Sequence, residues 1–539
     1  MFENVKNRLR AMQGGSSLPF ETSIASIRER FAQVIEDKKM GSDLLFMTTY
    51  MASLALANAT RPEIFSNASE RTEYISSGYI ARVNTYVKKW NYSYAESLSF
   101  IADRTKNEML QMMLLRYSNA INSNVPDEEF LNNEIYTIRS AYRSQYEQGF
   151  EMLKKWGDAY IAMLLAGTVI AVTIMISVAI YSPEGVEGTL NMSYAIILAI
   201  CASGVALMYQ SVPYDQKTHG LAERSSKEQN TIHAMERIIV PVTVLIALVL
   251  WVLGAPMGLI FVLFGAFMAP LGIIGFIDDH NITLRDNDFA TFIKSLGAVM
   301  GGKATTAVFA LGAIDHKSFM ALEPLINSVY SKMNLGLDGR QIWDRFTGES
   351  GSDLINKYLN IYLDTIRLGG PPEPIGKIVG SSMLEQVLLR EKKDMLSKSF
   401  ILMLVPMHVV MVGIFIALFR IMVTLTSSVA TMMKHFQSTA SSGAQAANAS
   451  MGSAISGSLN MFTNFPENVM FTYVVITLTI ITAANILVAK IVGGGDRYMY
   501  YFYIALFCIL TGLVLLVVPM VVNVFFSPEA LTNMAGTRA

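Results

Sequence analysis

Charged side chains are scarce in this sequence. Lys, Arg, Asp and Glu make up 16% of its 539 residues, where an ordinary soluble domain carries about 25%. The 42 basic and 43 acidic side chains leave a formal charge of −1. The basic excess of a nucleic-acid binder is missing, and no nucleic-acid partner is expected. Cys201 and Cys508 are the only cysteines, both inside apolar runs, so neither a zinc site nor a disulfide framework is in view. The six histidines contain no i, i+4 pair, which leaves metal catalysis without a ligand set. The first residues, MFENVKNRLRAMQGG, lack the apolar core of a signal peptide, and the first membrane span is expected to direct insertion. Strand-type alternation is absent as well.

Long apolar runs take the place of charge. About 20 apolar residues cross a bilayer as a helix, and seven runs qualify. They are Tyr160–Tyr181, Asn191–Val212, 238–254, 257–277, Phe400–Phe419, Val469–Ala489 and Tyr498–Phe526. The third and fourth come from one uncharged stretch, Ile238–Ile277, which Gly254-Ala255-Pro256 divides as a hairpin turn. Lys and Arg are retained on the cytoplasmic side. Lys217, Arg224, Lys227 and Arg237 lie between spans two and three, and Lys490 and Arg497 between six and seven. The opposite loops carry Glu184 and Glu187, no charge at 254–256, and a single base, Lys434. An N-terminus inside and a C-terminus outside satisfy every loop.

The resulting fold class is all-α: a polytopic membrane protein with about seven transmembrane helices and two duplicated cytoplasmic helical bundles. Its expected divisions are a segment 1–39, a first bundle 40–158, four spans in 159–277, a second bundle 278–399, and three spans in 400–539 with an external loop 428–468. The duplication is read at a constant offset of 245: Leu98 falls on Trp343, Ile101 on Phe346, Leu110 on Ile355, Tyr117 on Tyr362 and Pro126 on Pro371. In each copy a polar loop separates two amphipathic helices, a proline loop follows, and a charged helix enters a span. Lys6, Arg8 and Arg10 open the first segment and read as a solvated end.

The stretch NLGLDGRQIWDRFTGESGSDLINKYLNIYLDTIRLGGPPEPIG, Asn334–Gly376, resembles the second cytoplasmic domain of the type II secretion F family, the membrane platforms of type IV pilus-like machines. Its continuation, LLREKKDMLSKSFILMLVPMHVVMVGIFIALF, Leu388–Phe419, is most similar to the archaellum branch. The likeness runs from about 40 to 526 and is specific in the second half. It implies a mechanical role with no catalytic residue, cofactor or metal. The implied partners are a cytoplasmic hexameric motor ATPase, filament subunits of the archaellin or pilin kind, the lipid bilayer and a second copy in a homodimer. An archaeal adhesion-pilus platform is the near alternative. A membrane transporter, where internal repeats also occur, is the alternative from another class; the spans lack the mid-bilayer acids or bases of an ion path.

Two charge clusters rank as contacts for the motor. Arg340, Asp344, Arg345 and Glu349 form one; Arg390, Lys392, Lys393 and Lys398 form the other. In the first, Arg340 and Asp344 at i, i+4 could simply pair, worth about 0.3–0.5 kcal/mol. The second could face anionic lipid at about 1 kcal/mol per base. A partner that delivers force needs a fixed surface, which favours the first. His408, a third of the way into span five, is the intramembrane candidate, with a bond to a neighbouring helix or to the carbonyl freed by Pro406 as the structural reading. Gly297–Ala304 imitates a phosphate-binding loop, but Ala304 stands where a hydroxyl should hold Mg²⁺, and the glycines read as helix packing. Asp278-Asp279 beside His280 reads as a solvated helix exit. Asn448-Ala449-Ser450 is an N-glycosylation pattern in the external loop.

Overall fold

The computed structural model describes residues 19–181, 186–221, 225–303, 305–440 and 466–525, and side chains within them except at 19–34, 179–181 and 429–440. Among the described residues no strand forms; a lone bridge joins Thr218 and Ser352. The helices are α1 (Pro19–Leu56), α2 (Arg61–Glu70), α3 (Ile75–Trp90), α4 (Tyr94–Ala102), α5 (Glu108–Asn122), α6 (Asp127–Tyr181), α7 (Val186–Ser211) and α8 (Lys227–Val252). They continue with α9 (Met257–Gly302), α10 (Ala307–Ala313), α11 (Glu323–Asn334), α12 (Gly339–Ser350), α13 (Asp353–Arg367), α14 (Pro372–Ala440), α15 (Glu467–Gly493) and α16 (Met499–Phe525).

Seven of these, α6 to α9 and α14 to α16, are long and apolar enough to cross a membrane. The all-α, multi-pass class expected from the sequence is what the chain adopts. The hairpin between spans three and four also stands where expected: Gly254 takes a φ of +72°, a conformation that costs glycine little.

Helix starts recur at the sequence offset. α4 and α12, α5 and α13, and α6 and α14 begin 245 residues apart. The caps explain the shared register. Asn107 Oδ1 accepts from the Leu110 N–H at 3.2 Å, and Ser352 Oγ, 245 residues later, accepts from Ile355 N–H at 3.2 Å. Each cap satisfies an N–H that the first helical turn leaves without a partner.

The chain packs as two compact units. The first contains Met1–Gln145, Ala290–Ile314 and Lys357–Glu385, so segments of both repeats share it. Asp43 ties α1 to the start of α3, accepting from the N–H groups of Ile75 and Ser76 at 2.9 and 2.8 Å and from Ser76 Oγ at 2.6 Å. Burial pushes the Asp43 carboxyl up, against these hydrogen bonds. Phe46 packs 5.0 Å from Tyr358 between ring centroids, and Arg143 forks onto the buried Glu385 with two bonds of 2.6 Å. Where α9 crosses α14, a Cβ on Gly297 would lie 2.5 Å from the Pro372 carbonyl oxygen. The imitation phosphate loop is therefore continuous helix to Gly302, and its glycine serves close packing.

The second unit contains Tyr146–Phe289, Asp315–Asn356 and Gln386–Ala539. Its largest apolar core draws on α6, α7, α14, α15 and α16, through Tyr160, Ile197, Leu404, Phe415, Tyr473, Val488 and Phe507 among others. In lipid, helices gain little from apolarity alone and associate through close packing and interhelical polar bonds. Gly258, Gly265 and Gly272 recur every seventh residue on one face of α9, where added Cβ atoms would meet the α16 backbone at Gly512, Ala505 and Phe502.

Candidate functional site

The first candidate cluster is held on α12. Asp338 caps the helix by accepting from Arg340 N–H at 3.1 Å, and Gly351 ends it with a φ of +74°. Ile342, Trp343 and Phe346 point into the core, which turns Arg340, Asp344 and Arg345 to solvent. The ion pair on this face joins Arg345 to Glu349 at 2.7 Å. Beside it opens a cavity of about 1180 Å³, lined by Lys227, Glu228, Arg285, Lys332, Arg345 and Glu349 among others. Arg285 is anchored there by donating to the Ser350 carbonyl at 3.0 Å. The surface lies on a capped helix and is mixed in charge and open.

The second cluster divides. Lys392 is exposed and pairs with Glu147 at 3.0 Å, two positions related by the 245 offset, and Lys398 is exposed. Arg390 and Lys393 are not surface residues at all. Arg390 donates to Asp215 at 2.7 Å, to Asp286 at 2.9 Å and to the Gln216 carbonyl at 2.6 Å. Lys393 lies 3.7 Å from Asp215. Lys217 donates to Asp279 at 2.9 Å and Asp394 at 3.2 Å, and Ser352 donates to Asp286. Alternation of charge within 390–398 gave no hint of this, because the partners come from the 213–221 loop and from α9. A buried, charged α14 face is the correction to the surface reading.

This network lies outside the apolar spanning segments, and its charges respond to one another. Burial works against the Asp215 carboxylate, but Arg390, Lys393 and Lys217 outweigh it and hold the group below its ordinary range. Asp286 goes the other way: burial, with Asp215 nearby, pushes it up to about 6 despite Arg390 and Ser352. Burial is the larger influence at Asp286, whose side chain is the more enclosed of Arg390's two carboxylate partners. The helix exit at Asp278 is likewise buried: Asp278 accepts from Ser226 at 2.9 Å and from Gln229 at 3.0 Å. His280 is exposed.

His408 is buried among four spans. Its Nε2 bonds Thr511 at 2.8 Å and its Nδ1 meets Asn485 Nδ2 at 2.8 Å. Tyr160 donates to Asn485 Oδ1 at 2.8 Å, and Thr511 meets Thr482 at 3.0 Å. An amide donating to Nδ1 requires a lone pair there, so Nε2 carries the hydrogen and the ring is neutral. The chain of bonds runs across α6, α14, α15 and α16 and is a packing network, in line with the bond to a neighbouring helix read from the sequence. Asn448 lies outside the described residues.

No protein-family model and no solved structure matches the chain. Curated proteins do. Over 370 residues it is 23% identical to Flagella accessory protein J of Methanocaldococcus jannaschii, a match covering 66% of each chain. Over 326 residues it is 24% identical to the protein of the same name from Methanococcus voltae, covering 58% of this chain and 57% of that one. The chain is similar to Flagella accessory protein J. It spans about two thirds of the length of the first such protein and less of the second. This similarity agrees with the resemblance to the archaellum branch, and with seven helices long and apolar enough to span a bilayer the protein is a multi-pass membrane protein.

Proposed function

We propose that this chain is the membrane platform of an archaellum-type filament machine, linking a motor ATPase in the cytoplasm to filament subunits in the bilayer. One observation carries the reading. α6 and α14 start 245 residues apart, and each joins a polar segment to an apolar span in one uninterrupted helix of 55 and 69 residues respectively. Each helix carries its backbone hydrogen bonds from the polar segment into the span, Pro406 of α14, which has no N–H to donate, lying within the span itself, so displacement of the polar end enters the span without a loop to absorb it. Similarity to Flagella accessory protein J supports the assignment to this machine. The polar ends are assigned to the cytoplasm from the loop bases Lys217, Lys227 and Arg237. Energy enters through the partner, and no hydrolytic step is assigned to this chain. A second copy beside the first belongs to the reading.

The motor is assigned to the α12 surface, since Arg340 and Arg345 are exposed on a capped helix while Arg390 and Lys393 are withdrawn. Arg340→Glu with Arg345→Glu is expected to weaken motor binding at least about tenfold and to abolish filaments, with helicity and membrane insertion unchanged. The double reversal sets acids at i, i+4 facing each other at 340/344 and 345/349, a local cost of only about 0.5–1 kcal/mol in all. Wild-type motor affinity in this double variant removes the surface and leaves Lys392 and Lys398.

A further inference from the structure

The first unit carries an exposed aromatic cluster at the joint between α3 and α4. Asn91 adopts a φ of +56° and turns the chain sharply, which leaves the side chains on either side of the joint at the tip. Trp90 is 65% exposed, Tyr92 48% and Phe100 42%. They are one assembly: the Tyr86 ring centroid lies 5.8 Å from Trp90, 6.0 Å from Tyr92 and 5.0 Å from Phe100. The Arg104 guanidinium sits 3.9 Å over Phe100 and donates to Tyr86 Oη at 3.2 Å. A pocket of about 300 Å³ opens between Arg82, Tyr86, Trp90, Ile101 and Arg104, large enough for an aromatic side chain, and no carboxylate lines it. Glu96, nearby in sequence, is occupied by the backbone and hydroxyl of Ser93, at 3.0 and 2.8 Å.

The second repeat provides an internal comparison. At the 245 offset Trp90 and Tyr92 fall on Leu335 and Leu337, which are also exposed, at 77% and 56%. Phe100 and Arg104 fall on Arg345 and Glu349, which neutralise each other. The first repeat thus presents apolar residues at the same two positions, together with Arg82 and Arg104 in the pocket wall, while the acid beside the pocket, Glu36, accepts from the lining Tyr79 hydroxyl at 3.2 Å. Isolated exposed apolar residues are ordinary, but a contiguous patch marks an interaction site, and Trp, Tyr and Arg are the residues that dominate binding energy at interfaces.

We infer that the α3–α4 tip docks an acidic segment of a soluble protein, with an aromatic or aliphatic side chain in the pocket and carboxylates against Arg82 and Arg104. Charge complementarity selects this occupant. The site shares no residue with the Arg340–Arg345 surface and stands independently of the motor assignment. The test uses the full-length chain in its host, with the photoreactive residue benzoylphenylalanine in place of Tyr92 and adducts mapped by mass spectrometry. An adduct to an Asp- or Glu-rich segment of a soluble protein is expected, with its yield reduced about tenfold by Arg82→Glu with Arg104→Glu. Trp90→Ser, a change at a largely solvated side chain, gives the same loss if the charge reversal disturbs folding. Arg340→Glu with Arg345→Glu leaves the adduct in place. Adducts only to lipid, nucleic acid or a second copy of this chain, no adduct at all, or a yield indifferent to both the charge reversal and Trp90→Ser, overturn the proposal.

Discussion

Arg390 shows how much one side chain can decide. Enclosed between Asp215 and Asp286, it holds a loop, α9 and α14 to one point, and removing a single partner from such a site leaves a buried charge without compensation. Its two carboxylates make opposite contributions as pH changes. Asp215 is held low, so its stabilisation is present above the unfolded value of about 3.9 and fades as pH falls below it. Asp286 is raised to about 6, so its contribution is complete below the unfolded value and is lost as pH climbs through 6. Asp286→Asn removes the second titration, at a cost to Arg390 that does not vary with pH. Relative to this variant the wild type is expected to lose about 2–3 kcal/mol between pH 4 and pH 7, read by thermal unfolding in detergent. An equal gap between the two proteins at both pH values contradicts the assignment.

Among the elements, α9 and α16 depend on close approach. A Cβ on Gly265 would come within 2.7 Å of Ile509 Cγ1 and 2.9 Å of the Ala505 carbonyl oxygen, and a carbonyl in a helix cannot swing aside as a side-chain tip does. Gly265→Val is expected to cost about 1–3 kcal/mol and lower the unfolding midpoint. Gly188→Ala, with nothing within 4 Å of the added Cβ, is the matched control and should change little. Equal midpoints in the two variants would mean that the helices separate without penalty.

For the whole molecule, sidedness is the property to test. A cysteine at Ser352 is unsuitable as a reporter, because Ser352 is buried and donates to Asp286. Asn334 at the end of α11 is exposed and serves instead. Native Cys201 and Cys508 are buried and leave the background low. An impermeant thiol reagent should label a cysteine at 441, outside the described residues, in intact cells, and reach one at 334 only after lysis. Labelling at 334 in intact cells reverses the proposed orientation and removes the α12 surface from the cytoplasmic motor's reach.

The spans, the hairpin at Gly254 and the 245-residue register are legible along the chain, since these depend on local quantities: apolar length, turn chemistry and capping residues. The sequence also marked His408 as an ionisable residue at lipid depth, while leaving its partner open between a neighbouring helix and the carbonyl freed by Pro406. The identities of Thr511 and Asn485 as those partners, the withdrawal of Arg390 and Lys393, and the gathering of Trp90, Tyr92 and Phe100 around Tyr86 came only with the tertiary structure. Each depends on which distant helix faces which. A run of charges such as Arg390–Asp394 reads the same along the chain whether acids from elsewhere or water surround it, and only packing decides between them.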